Sequence, residues 1–584
     1  MSSSTDNTTA STPPALSDPD VPTPFAQPGE KKQINLLRGW PSPHLLPPSN
    51  LLSASKTLLT SPLPSDQPDP TNANPINSTG EEKFNFNVPA LQYGPDPGYQ
   101  PLRHSLASWL TTNYQTKETY PPHGFPTLTT ADQICVTGGA SQNLANILLG
   151  FTDPAYTRAV WAVSPCYFLA VPIFEDAGFS VANGRLRDVP EEKGQDGEVG
   201  EGVDLEALEK GLREVDESKE WPNKPVYKTP GPHRKCYKHI IYLVATSANP
   251  SGITMSLARR HALVQLARKY DALIISDDVY DFLQWPVLSS PSQASKTLPL
   301  TTPLPRLSDI DISLGPSAHD LALSAHYTRT RSPQGRPNGT NGQHNNDMAD
   351  DQQDMQSLHP DHTIQDLHFG HAVSNGSFSK LLSPGLRTGW THSTPAFAYG
   401  LAQTGSTRSG GAPSQYCAAL IHEILSSGAL EKHLTEIVRP GLQKRHALML
   451  STIKRELGPL GIKVLEDNRT GAERKDDQPA LSGGYFLWLE LPESVPFTAK
   501  EVAERALEEE KLVVSPGENA EVSGDGETAK IRFPKHLRAC FSWEEEEDLV
   551  EGVERLGRVV RGMVEEAKEE GGVKKVGGGL KAFK

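Results

Sequence analysis

Short apolar runs separated by amphipathic stretches characterise the middle of the chain. Residues 240–244 and 272–275 are continuous apolar runs rich in β-branched side chains, and residues 256–270 between them have the spacing of a helix. Strands without a polar face, joined by a helix, predict a parallel sheet buried on both sides. Asn249 follows the first strand and Asp277 follows the second. Because ligands bind at the carboxyl ends of parallel strands, we expect the functional site at this edge.

Two earlier segments also show a strand that runs into a turn. Residues 134–144 begin apolar, pass through Gly138 and Gly139, and continue as a helix. Free N–H groups at a helix N-terminus bind anions, and glycine lets a ligand approach the backbone closely. Residues 160–167 form the second strand and end in Tyr167, whose ring either stacks on a flat ligand or packs in the core.

Other stretches are polar and lack a clear period. Residues 1–32, 286–365 and 571–584 predict two disordered tails and a disordered insertion, since they contain few apolar residues. A loop as long as this insertion is unusual inside a compact domain. Residues 186–237 are charged and predict irregular structure, apart from a helix pattern at 203–212.

Two more strands are predicted late in the chain. Residues 481–489 read as a glycine turn into a strand, and residues 531–541 contain a strand that carries Arg538. Ser542 and Glu545 have the spacing of a capping box, which predicts a helix beginning directly after this strand.

The totals restrict the possible functions. At 584 residues the chain is too long for one ordinary core, and 36% hydrophobic residues with 50 prolines indicate long unstructured segments around a globular part. The net charge of −15 argues against nucleic-acid and membrane partners, which favour basic patches. Five unclustered cysteines give neither a disulfide framework nor a metal site, and no run reaches the ~18–20 apolar residues of a membrane span. Because no secretory signal is visible, we expect a cytoplasmic enzyme.

A lysine among hydroxyls and glycines lies in residues 374–390. Lys380 follows Ser377 and Ser379 and precedes Arg387. Desolvation and nearby cations lower the pKa of a lysine, which can then condense with a carbonyl to a Schiff base. Two hydroxyls and an arginine suit an anion such as a phosphate. The loop therefore predicts an aldehyde that carries a phosphate, namely pyridoxal 5'-phosphate, although a lysine in a serine-rich loop is more commonly a solvated surface residue.

The order Ser-Phe-Ser-Lys-x-x-x-Pro-Gly-x-Arg-x-Gly-Trp in this loop resembles the cofactor-lysine signature of the class I/II aminotransferases. The resemblance covers roughly residues 33–285 and 366–565 and is nearest to the 2-aminoadipate and aromatic (kynurenine-like) branch. It implies the α/β fold-type I architecture, with a mostly parallel sheet between helices and a smaller α+β domain built from both chain ends. It also implies a homodimer with active sites at the interface. The domains expected on this basis are an arm with part of the small domain (33–115), a cofactor-binding domain (116–400) and a C-terminal small domain (401–570).

The resemblance also implies roles for matching positions. Lys380 would bind the cofactor as a Schiff base and move the Cα proton of the substrate, and Asp277 would keep the pyridine nitrogen protonated. Asp278 is the rival by adjacency, but the family pattern Asp-x-x-Tyr selects Asp277 with Tyr280. Further cofactor contacts are implied for Tyr93 (on the phosphate in the neighbouring subunit), Ala140, Ser141, Gln142, Tyr167, Asn249, Tyr280, Ser377, Ser379 and Arg387.

Substrate contacts follow from the same resemblance. Arg538 would bind the α-carboxylate through a bidentate pair, with Asn249 beside it. Gly39 would bring the N-terminal arm into the site, and Arg408 would bind the distal carboxylate of an acidic donor. The alternatives are that Gly39 is a plain turn glycine and that Arg538 and Arg408 face solvent. For Tyr93, the alternative is a tyrosine packed on the surface of a turn.

The leading hypothesis is a transaminase that moves an amino group from an amino acid to a 2-oxo acid. A lyase on the same scaffold is an alternative, because a fold does not determine the reaction. A metabolite-sensing regulator with an aminotransferase-like domain would need a DNA-binding N-terminal domain, for which residues 1–32 are too short and too polar. An inactive scaffold is disfavoured because every expected residue is present.

Overall fold

The computed structural model describes residues 31–60, 89–114, 128–193, 199–331, 368–408, 413–465, 480–522 and 532–579. The strands within these ranges are β1 (Ile34–Asn35), β2 (Ile134–Thr137), β3 (Ala159–Ser164), β4 (Leu186–Lys193), β5 (Val199–Val203), β6 (His239–Leu243), β7 (Ala272–Ser276), β8 (Gln284–Pro286), β9 (Ala372–Ser377), β10 (Gly389–His392), β11 (Lys463–Leu465), β12 (Leu481–Gly483), β13 (Phe486–Glu490), β14 (Leu512–Val513), β15 (Ser515–Pro516) and β16 (His536–Cys540).

The α-helices of the same ranges are α1 (Pro48–Thr60), α2 (Gln100–Tyr114), α3 (Ala140–Phe151), α4 (Val171–Asp176), α5 (Leu205–Glu217), α6 (Leu257–Lys269), α7 (Leu307–Ser313), α8 (Ala318–Arg331), α9 (Pro395–Ala402), α10 (Gly405–Arg408), α11 (Gln415–Ser426), α12 (Ala429–His433), α13 (Arg439–Glu456), α14 (Ala499–Glu510) and α15 (Glu546–Gly579). Within the described part of the chain, none of them is long and apolar enough to cross a membrane.

A large sheet forms the centre of the molecule. Its described strands have the order β2-β10-β9-β7-β6-β3-β4-β5. The pairs from β9 to β4 are parallel, whereas β10 runs antiparallel to both of its neighbours and β5 runs antiparallel to β4. Every residue of β3, β6, β7 and β9 is buried. The predicted parallel sheet is therefore confirmed.

Alternate residues of the central strands enter two different cores. Ile240 and Tyr242 of β6 belong to one apolar cluster, and Ile241 and Leu243 belong to the other. Successive side chains of a strand point to opposite faces, so helices cover both faces of this sheet. This arrangement leaves only the ends of the strands available for a ligand.

A smaller unit combines segments from both ends of the described chain. Strands β11, β13, β16 and β15 form an antiparallel sheet in that order. Strand β1 pairs in parallel with β14, which follows α14 directly. The smaller α+β part drawn from both chain ends is thus present, as the resemblance implies.

Residues 186–237, expected to be irregular around one helix, contain two strands as well. Strand β4 pairs with β3 on one side and with the short β5 on the other. An edge of a sheet accepts charged residues, because part of each edge strand faces water. The charges that argued against strands here are therefore compatible with them.

The prediction that residues 286–365 are disordered is wrong for residues 286–331. Residues 286–331 contain α7 and α8, with Leu307 and Ile310 of α7 fully buried. Arg306 donates to both oxygens of Asp309 at 2.8 Å, and both side chains are buried. Paired charges and a few apolar anchors order the segment, and neither is visible in an average composition. Residues 332–365 lie outside the described residues.

The expected tails also need correction where they meet described residues. Lys31 and Lys32 pair with Glu510 and Asp548. Helix α15 continues to Gly579, because extending an existing helix requires no new nucleus. Residues 1–30 and 580–584 lie outside the described residues.

Candidate active site

The carboxyl ends of neighbouring strands bring the predicted site residues to one edge of the large sheet. Asn249 follows β6, Asp277 follows β7, and Lys380 follows β9. Tyr167 follows β3, which is the next parallel strand. The order of the strands alone therefore places these four side chains along one edge.

Lys380 is half-buried between two different segments. Its Nζ donates to the carbonyl oxygen of Gly39 at 2.6 Å and lies 4.8 Å from the centre of the Tyr485 ring. Burial lowers the pKa of Lys380 to about 8, and the charge of Asp277 acts in the opposite direction. At neutral pH this amine is much closer to its neutral, nucleophilic form than an exposed lysine.

Asp277 has one carboxylate oxygen without a partner. The Tyr242 hydroxyl donates to Oδ2 at 3.0 Å, whereas Oδ1 is buried and accepts no hydrogen bond within the described residues. Burial raises the pKa of Asp277 to about 6, against the hydrogen bond from Tyr242 and the charge of Lys380. A buried acceptor of this kind suits a ligand that brings its own N–H donor.

Asp278, the rival by adjacency, is engaged elsewhere. The Ser276 hydroxyl donates to its Oδ1 at 2.5 Å. Burial and the neighbouring charge of Asp281 raise its pKa well above the usual range. Asp281 in turn accepts from the Tyr114 hydroxyl at 2.5 Å. Asp278 thus has hydrogen-bond partners other than those of Asp277, and Asp277 is the carboxylate whose charge acts on Lys380.

The candidate anion cradle predicted from the sequence lies where β2, β10 and β9 meet. Thr137, Gly389 and Ser377 are paired in one row across the three strands. The Gly138-Gly139 turn follows Thr137, and Gly139 has φ +96°, which glycine adopts readily. A Cβ at Gly139 would lie 3.0 Å from Nη2 of Arg387. The turn therefore holds α3 and the arginine close together.

Hydroxyls and free backbone N–H groups surround the same cradle. The Ser377 hydroxyl donates to Oγ of Ser379 at 2.9 Å, and Arg387 lies 3.5 Å from Ser379 Oγ and 3.3 Å from the Gly138 oxygen. The three cradle candidates of α3 occupy its first turn, where backbone N–H groups lack helical partners. They are Ala140, Ser141 and Gln142.

Arg538 is buried beside the lysine loop and the N-terminal arm. Its Nη1 donates to Oδ1 of Asn249 and its Nη2 to the Leu37 oxygen, both at 2.9 Å. Its Nε is buried and has no hydrogen-bond partner within the described residues. Phe486 and Phe168 lie 4.2 and 5.3 Å from the guanidinium. A fixed guanidinium with an unused donor is suited to bind a carboxylate.

Two further predicted site residues are tyrosines. Tyr167 is half-buried, and burial together with the charge of Asp277 raises its pKa to about 12. Tyr280 is buried, and its ring lies 5.7 Å from that of Tyr485. The pKa of Tyr280 is raised well above its usual range, chiefly by burial. Both rings are therefore neutral at physiological pH.

Two predicted residues are not brought to this centre in the single chain. Tyr93 is 87% exposed. Arg408 is exposed at the end of α10, and the residues that follow it, 409–412, lie outside the described part of the chain. Their proposed contacts with the cofactor and the substrate stay predictions.

Sequence reasoning missed Tyr242 and Tyr485. Tyr242 occupies an interior position of β6, and its hydroxyl donates a hydrogen bond to Asp277, which follows the neighbouring strand β7. Tyr485 follows the predicted glycine turn. The glycines indicate that another segment packs closely against the turn, but they do not show which residue lies there. For both, the signal is a polar aromatic residue in a segment otherwise suited to the core.

Comparison with known proteins agrees with this geometry. Residues 71–293 match the family model described as aminotransferase class I and II. An uncharacterised protein of Saccharomyces cerevisiae, YER152C, is 30% identical over 91% of this chain and 97% of its own length. The 2-aminoadipate transaminase of Thermus thermophilus is 25% identical over 81% of this chain and 83% of its own length. The crystal structure of Pyrococcus horikoshii kynurenine aminotransferase with PMP superposes with a TM-score of 0.57 at 21% identity, covering 91% of each chain.

The chain belongs to the class I and II aminotransferases, a family of pyridoxal-phosphate-dependent enzymes. Its fold is that of the fold-type I members.

Proposed function

We propose that this protein transfers an amino group from an amino acid to a 2-oxo acid, with pyridoxal 5'-phosphate bound through Lys380. The proposal is carried by Lys380 and Asp277, which follow the neighbouring parallel strands β9 and β7: the charge of Asp277 acts on Lys380, and Oδ1 of Asp277 is buried without a partner within the described residues. Asp277 is buried with an unpartnered oxygen and therefore adds no stability to the fold. A ligand that uses both Asp277 and Lys380 explains their presence better than folding does.

The described residues fit this cofactor. When bound, it supplies an aldehyde carbon that condenses with amines and a ring that accepts electrons from the Cα–H bond. Asp277 Oδ1 would accept the pyridinium N–H, and Tyr280 with Asn249 would bind the ring oxygen. The Tyr167 ring would cover one face of the pyridine.

The anion cradle would hold the phosphate of the cofactor. Arg387, two hydroxyls and a helix N-terminus would all donate hydrogen bonds to a dianion. Such charge-assisted hydrogen bonds favour binding of the dianion in the cradle over its remaining in water. The residues involved are Ala140, Ser141, Gln142, Ser377, Ser379 and Arg387, with Tyr93 of the partner subunit in the homodimer that the family resemblance implies.

Arg538 would bind the α-carboxylate of either substrate. Asn249 and the Leu37 carbonyl fix two of its nitrogens, so the guanidinium is oriented before the substrate arrives. Lys380, freed when the substrate amine replaces it, would take the Cα proton and return it during the transfer. Gly39 would close the site from the arm side.

The donor is proposed to be an acidic or aromatic amino acid. The name of the Thermus relative favours an acidic donor such as 2-aminoadipate or glutamate, and Arg408 would then bind its distal carboxylate. The phenylalanines beside Arg538 favour an aromatic side chain. Nothing in the described residues favours a lyase or a regulator.

The test is a screen of the purified protein loaded with pyridoxal phosphate. Glutamate, 2-aminoadipate, phenylalanine and kynurenine are each incubated with a 2-oxo acid, and the new amino acid is quantified by mass spectrometry. We expect transfer from at least one donor and none with Lys380→Ala. Lys432→Ala, at an exposed lysine, is the matched control and should keep the wild-type rate. Wild-type transfer by Lys380→Ala, or no transfer from any donor although borohydride fixes the cofactor on Lys380, would refute the proposal.

A further inference from the structure

Tyr485 is a buried tyrosine of the site to which no role has been assigned. It is 1% exposed, and its hydroxyl has no hydrogen-bond partner within the described residues. The centre of its ring lies 4.8 Å from Nζ of Lys380. Its other ring neighbours are Tyr280 at 5.7 Å and Phe486 at 6.5 Å. The ring of Tyr485 therefore faces the group that would take and return the Cα proton in the proposed function.

The backbone on both sides fixes the position of this ring. The Gly484 N–H donates to the Leu283 oxygen at 3.0 Å, and the Phe541 N–H donates to the Tyr485 oxygen at 3.0 Å. A Cβ at Gly483 would lie only 2.4 Å from Oγ of Ser247. The turn before Tyr485 is thus packed directly against the segments that lead to Asn249 and follow Tyr280. A ring held in this way is placed by the fold and not by its own hydroxyl.

The face of an aromatic ring attracts a cation through its quadrupole. The attraction acts on the ammonium form of a lysine and is absent for the neutral amine, so a ring in this position favours protonation of Lys380. The Gly39 carbonyl can only accept a hydrogen bond and is compatible with the same form. A carboxylate in place of this ring would also favour the ammonium form. It would, however, compete with Asp277 for the positive charges of Lys380 and the two nearby arginines.

We propose that Tyr485 is a positioning residue for Lys380. The face of the Tyr485 ring holds the Lys380 ammonium group beside Gly39 whenever the lysine is not bonded to the cofactor. This inference rests on the proposed function, since it gives the freed lysine a defined place and charge. Burial and the two arginines of the site favour the neutral amine, and the ring, like Asp277, favours the protonated one. The balance keeps both forms accessible near neutral pH, as a group that accepts and returns a proton requires.

The test measures the pKa of Lys380 in protein freed of cofactor. Competitive acylation of the lysines is followed from about pH 6 to 10, and mass spectrometry quantifies the labelled Lys380 peptide. Tyr485→Leu removes the ring and should lower the pKa of Lys380 by about 0.5–1 unit, the equivalent of one cation–π contact. Tyr485→Phe keeps the ring and should leave the pKa within about 0.2 unit of wild type.

Controls separate this effect from a general loosening of the core. Phe497→Leu removes another buried ring of the same apolar cluster and should not change the pKa of Lys380. Tyr485→Met replaces the Leu variant if that variant loses its native circular dichroism. An unchanged pKa in the variant without a ring, or an equal fall in Tyr485→Phe, would overturn the inference. Labelling requires no turnover, so this result is independent of whether the protein transfers amino groups.

Discussion

At the scale of single residues, the site contains groups that oppose folding. Asp277 is buried with one unpartnered oxygen, and its pKa is raised to about 6 from an ordinary value of 3.8. The folded state therefore binds a proton more tightly than the unfolded chain, and it loses stability as the pH rises from about 4 through 6. Such a cost is common at functional sites, where stability is given up for chemistry.

Asp277→Asn should stabilise the cofactor-free protein at pH 8. The amide removes the buried charge and can still accept from Tyr242, although its NH₂ group stays unpartnered. The rise of the pKa from 3.8 to about 6 corresponds to at most ~3 kcal/mol, so we expect a gain of about 1–2 kcal/mol in the free energy of unfolding. At pH 4 the gain should vanish, because the folded wild-type carboxyl is then protonated. Urea unfolding at both pH values measures it, and an equal difference at both would contradict the assigned pKa.

Arg538→Lys should lower kcat/KM for the α-amino acid substrate by about 30- to 1,000-fold, the equivalent of ~2–4 kcal/mol. Lysine keeps the charge but cannot donate simultaneously to Asn249, to the Leu37 carbonyl and to a carboxylate in fork geometry. Steady-state kinetics measure the change. Arg532→Lys is the matched control, because Arg532 is 42% exposed and pairs with Asp188. Equal effects of the two substitutions would remove Arg538 from the site.

The sequence could predict which residues would meet, because most of them follow strands of one parallel sheet. Short stretches of sequence are enough to recognise the strands and motifs that contain Lys380, Asp277, Asn249 and Arg387. Their roles stay predictions, but their convergence is observed. Tyr485 could not be predicted to lie at Lys380, since that contact depends on the packing of the small sheet against the large one.

At the scale of elements, segment 286–331 shows the limit of composition as a guide. Its helix α7 is held by the pair between Arg306 and Asp309, and Arg306 also donates to Oγ1 of Thr129 at 3.1 Å. The pKa of Asp309 is lowered by this arginine in spite of burial. Strands β6 and β7 were predictable because their apolar runs are continuous, whereas a buried ion pair leaves no such pattern.

Arg306→Ala should destabilise the protein by about 3–5 kcal/mol, because it leaves the Asp309 carboxylate buried without its partner. The double variant Arg306→Met with Asp309→Leu should recover most of this loss, since an apolar pair of similar volume avoids the uncompensated charge. Urea or thermal unfolding measures both. If the single variant unfolds like the wild type, the pair does not anchor α7. Lys269→Ala, at an exposed ion pair with Glu209, is the control and should leave the unfolding transition unchanged, because solvent screens an exposed pair.

At the scale of the whole molecule, one chain supplies almost every group that the proposed function needs. The large sheet contributes Lys380 and Asp277, and the smaller unit contributes Arg538 on β16. Tyr93 and Arg408 are the exceptions: both are exposed, and Tyr93, at 87% exposed, makes no contact with Arg387 or Ser379 within the described residues. A second copy of the chain would explain how this tyrosine reaches a phosphate.

We expect the protein to be a homodimer in which Tyr93 acts on the site of the partner subunit. Tyr93→Phe should weaken cofactor binding by about 10- to 150-fold, the loss of one charge-assisted hydrogen bond of ~1.5–3 kcal/mol. Mixed dimers of Tyr93→Phe and Lys380→Ala chains, isolated through two different affinity tags, contain one lysine-bearing site. If Tyr93 acts across the interface, the Lys380→Ala chain supplies an intact tyrosine to that site, and borohydride-trapped cofactor on Lys380 should show wild-type affinity. Weakened binding in the mixed dimer, equal to that of the Tyr93→Phe homodimer, would place Tyr93 in its own chain's site, and a monomer in light scattering would exclude the arrangement altogether.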